Sequence, residues 1–196
     1  MRLVLATLGL GVLFGYLRRG SLFALGRVHV RWAPAAMLGL ALQLAPGHGH
    51  IPFVMLMLSL LMLAAFAVVN LDIAGFPMIV IGLALNFLVI GVNSGMPVDP
   101  GALLRSGQAD TLHLLVASGG AKHHLEGPDD ELTFLGDVIP LAPIQQVASV
   151  GDLISYMGVA WFVVAGMCGR VAARDEEQEG SYSPAAEREE AGRVGG

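Results

Sequence analysis

Histidines and carboxylates are the side chains here that could bind a metal or move a proton, and their placement is uneven. Five of the six histidines, His48, His50, His113, His123 and His124, fall on connectors that hydropathy puts on one face of a membrane. Asp129, Asp130, Asp137 and Asp152 fall there with them. Imidazole and carboxylate are ligands that zinc and similar ions accept. Spacing argues the other way: His48-Gly49-His50 and His123-His124 match no recognised site, and neither pair sits four residues apart on a helix. Loop histidines near headgroups are ordinary, so no metal and no cofactor is expected. His48, His50, His123 and His124 are the candidates should a metal bind.

Asp137 and Asp152 each follow a glycine, and each stands where an apolar segment meets the membrane surface. A carboxylate so placed can accept backbone N–H groups and pin an external segment onto a helix bundle. Ser149-Val150-Gly151-Asp152 has the capping-box pattern, which accounts for Asp152. Asp137 has no such account and is the first choice for a functional carboxylate. Asn86 is an amide inside a long apolar run, where lipid would leave it unpaired at a cost. It is therefore expected to face another helix, with Gln43 as its partner; a structural hydrogen bond is the ordinary explanation and a ligand contact the alternative. Asn93, Gly95, Met96, Pro97 and Gly136, from two motifs rich in turn residues, complete the set of ligand or structural candidates. No catalytic residue can be named, because the sequence has no G-x-S-x-G, no phosphate loop and no H-E-x-x-H.

The elements that must position these groups are apolar and long. Of 196 residues, 55% are hydrophobic and only 14% charged, with a mean hydropathy of +0.67. Soluble domains are rarely so apolar, and the charge-free blocks here are long enough to face lipid. The net charge of −5 is concentrated in the tail, where Arg174 to Gly196 hold seven acids against Arg174, Arg188 and Arg193. No basic patch for nucleic acid is present. Cys168, the single cysteine, can form no intrachain disulfide and reads as a packing residue.

Five spans are expected. Met1 to Leu17 reads as an uncleaved first span that stops at Arg18-Arg19, with Thr7, Gly11 and Gly15 presenting small groups on one face to a neighbouring helix. Residues 33–45, with the apolar piece Ala35 to Leu44, are short for a crossing and are either a thin or tilted span beginning nearer Val28 or a re-entrant segment. Ile51 to Val69 and Phe76 to Val92 are the third and fourth spans, and Leu153 to Val171 is the fifth.

Between the last two lies a structured external segment, 93–150. There Asp99-Pro100 signals a short helix start, Thr111 to Val116 is apolar enough to rest on the membrane surface or the bundle, and Gly119-Gly120 ends that piece. Leu132 to Ile139 reads as a short buried segment, with Pro140 and Pro143 keeping the next residues extended. The basic connector with Arg18, Arg19, Arg27 and Arg31 belongs in the cytoplasm by the positive-inside bias, so the N-terminus lies outside and the tail inside. Domain organisation follows: a transmembrane bundle over 1–171, including the external segment, and a disordered acidic cytoplasmic tail over 172–196.

Three motifs carry a resemblance: Asn93-Ser94-Gly95-Met96-Pro97-Val98, Thr133-Phe134-Leu135-Gly136-Asp137-Val138-Ile139-Pro140 and Ser149-Val150-Gly151-Asp152, in that order. They resemble a bacterial membrane-protein family catalogued only as domain of unknown function 5317, over roughly residues 1 to 170. The resemblance implies a small polytopic protein of the bacterial inner membrane and leaves its role open. The expected fold class is an all-α polytopic membrane protein, and its expected work is non-enzymatic binding of a partner or small ligand through 93–150. The expected partners are the lipid bilayer and a membrane or envelope protein, with no nucleic acid. A membrane-embedded enzyme acting on a lipid or lipid-linked substrate with His and Asp at the interface is the alternative. A small transporter with a polar path through Gln43 and Asn86 is another, although the spans hold no mid-membrane ionisable relay for a proton-coupled pump.

Overall fold

The computed structural model describes residues 2–43, 51–120 and 122–170. Their helices are α1 (Arg2–Leu17), α2 (Leu22–Leu25), α3 (Ala33–Gln43), α4 (Ile51–Val68), α5 (Phe76–Asn93), α6 (Pro100–Arg105), α7 (Ala109–Ser118) and α8 (Val150–Met167). Four short strands lie in the segment between α5 and α8: β1 (Met96–Val98), β2 (His123–Leu125), β3 (Ile139–Leu141) and β4 (Gln146–Ala148). The tail 172–196, with its expected disorder, and His48 and His50 lie outside the described residues.

Three helices, α4, α5 and α8, are each 18 residues long and apolar enough to cross a membrane. At 1.5 Å per residue that is about 27 Å, close to the hydrocarbon thickness of about 30 Å. The apolar helices α1 and α3 are shorter, at 16 and 11 residues. The long helices pack as a row in the order α3, α4, α5, α8, α1. Outward faces are apolar too: Leu5, Leu13 and Phe14 of α1, Leu38 and Leu40 of α3, Leu58 and Leu61 of α4 and Trp161 of α8 are all exposed.

Glycine sets how closely the row is packed. A methyl group at Gly82 of α5 would run into the Ser155 hydroxyl and the Gly151 carbonyl of α8, and one at Gly158 of α8 would lie 2.6 Å from the Gly75 carbonyl. Thr7, Gly11 and Gly15 are the buried residues of α1. A methyl group at Gly11 would meet Val163 of α8 at 3.1 Å, which is the close-approach face expected of that spacing. Phe76, in one core cluster with Ala67 and Ile73, is stacked edge-on against both Phe66 and Phe162 at 5.5 Å between ring centres.

Several elements differ from the sequence-based expectation. The segment 93–150 is not all helix: β1 and β2 pair in parallel, β3 and β4 antiparallel, so the fold is mostly helical with two small sheets. Strands of three residues are too short for a legible alternation. The stretch 132–139 is only half buried: Leu132 and Leu135 pack on the core beneath, while Phe134 between them points outward. A 3-10 turn over Thr133–Leu135 spreads these side chains around its axis. Pro140 lies in β3 as an extended residue, whereas Pro143 sits inside a second 3-10 turn, Ala142–Ile144. The expected starts hold where a side chain caps them. Asp99 accepts from the Gly101 and Ala102 N–H groups before α6, Gly119 closes α7 in the left-handed conformation, and Ser149 accepts from the Asp152 N–H to open α8.

Candidate functional site

The two motifs that stood out in the sequence meet in space. Strand β1 is held on one side by β2, in the register Met96↔His123, Pro97↔His124, Val98↔Leu125. On its other side Asp137 N–H donates to the Pro97 carbonyl at 2.9 Å, and Asp99 N–H donates to the Asp137 carbonyl at 3.1 Å. Gly136 is needed here because a methyl group on it would stand 2.6 Å from the Pro97 carbonyl. Met96, 4% exposed, plugs the top of the bundle against Leu56, Leu60, Val89 and Ile90. Asn93 ties the end of α5 to the same segment: its amide donates to the Glu131 carbonyl and accepts from the Glu131 N–H, both at 2.8 Å. Gly95 passes under His124, whose Nδ1 would lie 3.0 Å from an added methyl group.

Asp137 therefore pins the segment 93–150 with its backbone, not with the carboxylate expected to do so. The reason is that both its peptide groups are already paired in the ladder to β1. Its side chain is left for other work. Burial and, secondarily, the charge of Asp152 push the Asp137 carboxyl up to about 8, so at neutral pH it is mostly protonated and can donate a hydrogen bond. His123 Nε2 stands 3.7 Å from it, close but beyond hydrogen-bonding distance. Its neighbour His124 faces the other side of β2, as alternation along a strand requires, and its Nε2 lies 2.9 Å from Asp130. Desolvation pushes the Asp130 carboxyl up, but the Gly127 N–H and the His124 ring outweigh it and hold the group below its usual range. The two adjacent histidines thus serve two different carboxylates, and among the described residues no cluster of three or more His, Cys, Asp or Glu could hold a metal ion.

Beneath this lies a ring of polar side chains between α5 and α8. Asn86 donates to Asp152 Oδ1 at 2.7 Å, the Ser149 hydroxyl donates to Asn86 Oδ1 at 2.9 Å, and the Asp152 N–H donates back to Ser149 Oγ at 2.9 Å. The expected Asn86–Gln43 pairing is thereby corrected: Asn86 faces α8, because the glycines of that interface bring α5 against α8. It is the main-chain carbonyl of Gln43 that accepts from the Lys122 ammonium. The capping role expected of Asp152 is narrowed as well: it gives the Ser149 cap only its N–H, and its carboxylate is the acceptor for the buried Asn86 amide.

Above the ring, an open cavity of about 240 Å³ lies under α7. Val98, Leu103, Leu115 and Val147 form its apolar wall, and Gln108, Thr111, His123, Asp137 and Gln146 bring polar groups to it. Such a mixture of apolar wall and a few convergent polar groups, one with a displaced pKa, is the character of a small-molecule site. Of the candidate residues, only Asp137 and His123 reach this cavity. Asn86 and Asp152 lie in the ring below, and Asn93, Gly95, Met96, Pro97 and Gly136 build the frame. Gln108, Thr111 and Gln146 were not singled out in the sequence, where lone amides and hydroxyls in a loop carry no periodic signal.

A family model described as a family of unknown function (DUF5317) matches residues 27–164, a narrower stretch than the expected 1 to 170 and one that includes both sheets, the ring and the cavity. No curated protein and no solved structure matches the chain.

Proposed function

The chain belongs to the family of unknown function DUF5317, and on that premise we propose that it is a five-span protein of the bacterial inner membrane whose external segment binds a small ligand. In this reading α1 and α3 cross together with α4, α5 and α8. The tethers at both ends of α3 support its crossing: Arg31 N–H donates to Asn70 beyond the end of α4, and the Gln43 carbonyl accepts from Lys122 of the external segment. Eleven helical residues are then accommodated by local thinning and by the reach of the Lys122 side chain. For α1 the support is its packing along α8 from Gly11 to Gly15. Its N-terminus is also tied to the external segment, Arg2 to Gln145 at 2.7 Å and Leu3 N–H to Gln146 at 2.6 Å. The N-terminus is outside and the tail cytoplasmic, with a membrane or envelope protein as a further partner of the external face.

The observation that carries the ligand reading is the cavity in which Gln108, Thr111, His123, Asp137 and Gln146 converge on an apolar wall. Its volume lies just under the roughly 300–1,000 Å³ of drug-sized sites, which suits a small, largely uncharged molecule with a hydrogen-bonding end. The test is to purify the full chain in mild detergent and identify small molecules retained at near one per chain by mass spectrometry. Leu115→Trp, which fills the cavity, and Asp137→Asn are both expected to lose that molecule. No retained molecule, together with unchanged host phenotype for both variants, overturns the proposal.

One observation favours a second reading, chemistry on a lipid or lipid-linked substrate. A carboxyl mostly neutral at pH 7 stands 3.7 Å from an imidazole, an arrangement that suits general acid–base work. Turnover of a lipid-linked substrate by vesicles carrying the wild-type chain, lost in Asp137→Asn, would select it over simple binding.

A further inference from the structure

At the opposite end of the bundle α1 and α8 finish side by side. Gly15 and Gly20 pack against Met167, and the Ser21 N–H donates to the Met167 carbonyl at 2.8 Å. The turn after Leu17 places Arg18 and Arg19 there, Arg19 in the left-handed region at φ 60°. The chain leaving α8 passes Gly169, φ 69°, and brings in Arg170. Between these two exits lies an open, mainly polar cavity of about 350 Å³ lined by Arg18, Arg19, Ser21, Met167, Gly169 and Arg170.

Among the described residues nothing gives the three guanidinium groups a structural task. Helix-end carbonyls are what such groups commonly cap, but here the backbone already takes them. Phe14 O accepts from Arg18 N, Gly15 O from Gly20 N, Val164 O from Cys168 N and Ala165 O from Arg170 N. Elsewhere in the chain Arg31 has Asp72 at 3.3 Å and Arg105 has Asp99 at 2.9 Å. Among the described residues Arg18, Arg19 and Arg170 have no carboxylate within ion-pair distance. Like charges gathered around a concave site are held apart only at a cost, and an anion placed between them removes it.

We propose that the cavity between Arg18, Arg19 and Arg170 binds a phosphate-bearing anion, which at the end of two apolar helices is the headgroup of an anionic phospholipid. Planar guanidinium forks match phosphate oxygens, and basic pockets on the cytoplasmic side of helices suit such headgroups. Arg18, Arg19 and Arg170 lie outside the residues that the family model matches, and the site stands at the other end of the bundle from the external cavity, independently of it. Bias of arginine toward the cytoplasmic side would explain the number of charges but not their convergence. Arg27 provides the contrast, since it is on the same connector but stacks over Phe23 at 4.5 Å and does not line the cavity.

The test uses the full-length protein in uncharged detergent, titrated with phosphatidylglycerol, with phosphatidylcholine of the same chains, and with inorganic phosphate. Retained lipid is read by native mass spectrometry and stabilisation by the unfolding temperature. Phosphatidylglycerol is expected to be retained and to raise that temperature, and phosphatidylcholine to do neither. Arg19→Gln and Arg170→Gln should each weaken retention about ten-fold, the factor for one charge-assisted bond, and Arg27→Gln less than about two-fold. Arg170→Lys, which keeps the charge but not the fork, should fall between and guards against a misfolded glutamine variant. Equal protection by inorganic phosphate would assign the site to the free anion instead of the lipid. Equal binding of the two lipids, or an Arg27→Gln as costly as Arg170→Gln, overturns the proposal. So does retention seen only when Asp175, Glu176, Glu177 and Glu179 are all changed to Gln, which would show that the tail holds the cavity.

Discussion

Replacing Asn86 by leucine removes the centre of the polar ring between α5 and α8 while keeping the number and branching of the side-chain heavy atoms. Two bonds go with it: the 2.7 Å donation to Asp152 and the 2.9 Å acceptance from Ser149. In a soluble core the charge-assisted bond would be worth about 1.5–3 kcal/mol and the neutral one about 1 kcal/mol. Within a membrane the measured average is about 0.6 kcal/mol per bond, because the unfolded chain finds other partners there. The loss expected for Asn86→Leu is therefore about 1–3 kcal/mol. Ser149→Ala should cost about 1–2 kcal/mol, since it removes both a ring bond and the cap of α8. Reversible unfolding of the purified chain in mixed micelles, followed by tryptophan fluorescence, measures both. A double-mutant cycle between Asn86→Leu and Asp152→Asn should then return a coupling of about 1 kcal/mol or more. An Asn86→Leu variant within about 0.5 kcal/mol of wild type, with no coupling to Asp152, would refute the claim that the ring holds α8 to α5.

The Asp137 carboxyl gives a pH test. Its folded value of about 8 lies above the ordinary 3.8, so across that window the folded chain keeps a proton that the unfolded chain has lost. Stability should fall as pH rises, by about 1.4 kcal/mol per unit from this group. Asp137→Asn should flatten that slope in denaturant unfolding between pH 5 and 8, and parallel slopes would sink the assignment. Gly82→Ala should destabilise by about 1–3 kcal/mol through forced separation of α5 and α8, whereas Gly91→Ala, which meets nothing within 4 Å, should be neutral or slightly stabilising in the same assay. Gly136→Ala should loosen the external segment at Pro97, seen as faster amide exchange at Asp137 and Asp99 with little change in α4.

What the sequence made legible was what rests on local chemistry. Asp99-Pro100 and Ser149 opened their helices because a capping side chain acts within three residues. The small-residue face of α1 could be read because Thr7, Gly11 and Gly15 recur at helical spacing. Pairings distant in the chain were not readable. The sequence points Asn86 to Gln43 and leaves Asp152 to the cap, because hydropathy gives depth in the membrane but not which helices are neighbours. The parallel pairing of β1 with β2 and of Val98 with Asp137 left no mark, as such short strands have no period to detect. The cavity likewise draws Gln108 and Thr111 from the start of α7, His123 from β2 and Gln146 from β4, and no local motif joins the three elements. Asp137 was marked out by its lack of a local explanation; the fold sets it at the cavity wall, and its backbone does the pinning.

The reading as a whole depends on the segment with α6, α7 and the two sheets facing outward from the cell. Labelling intact cells with a membrane-impermeant maleimide measures this directly, in a Cys168→Ser background with single cysteines introduced by Ser118→Cys at the exposed end of α7 and Arg19→Cys after α1. The account predicts labelling at position 118 in intact cells and at position 19 only after the membrane is opened. Labelling at position 118 that requires an opened membrane, with position 19 reactive from outside, would contradict it.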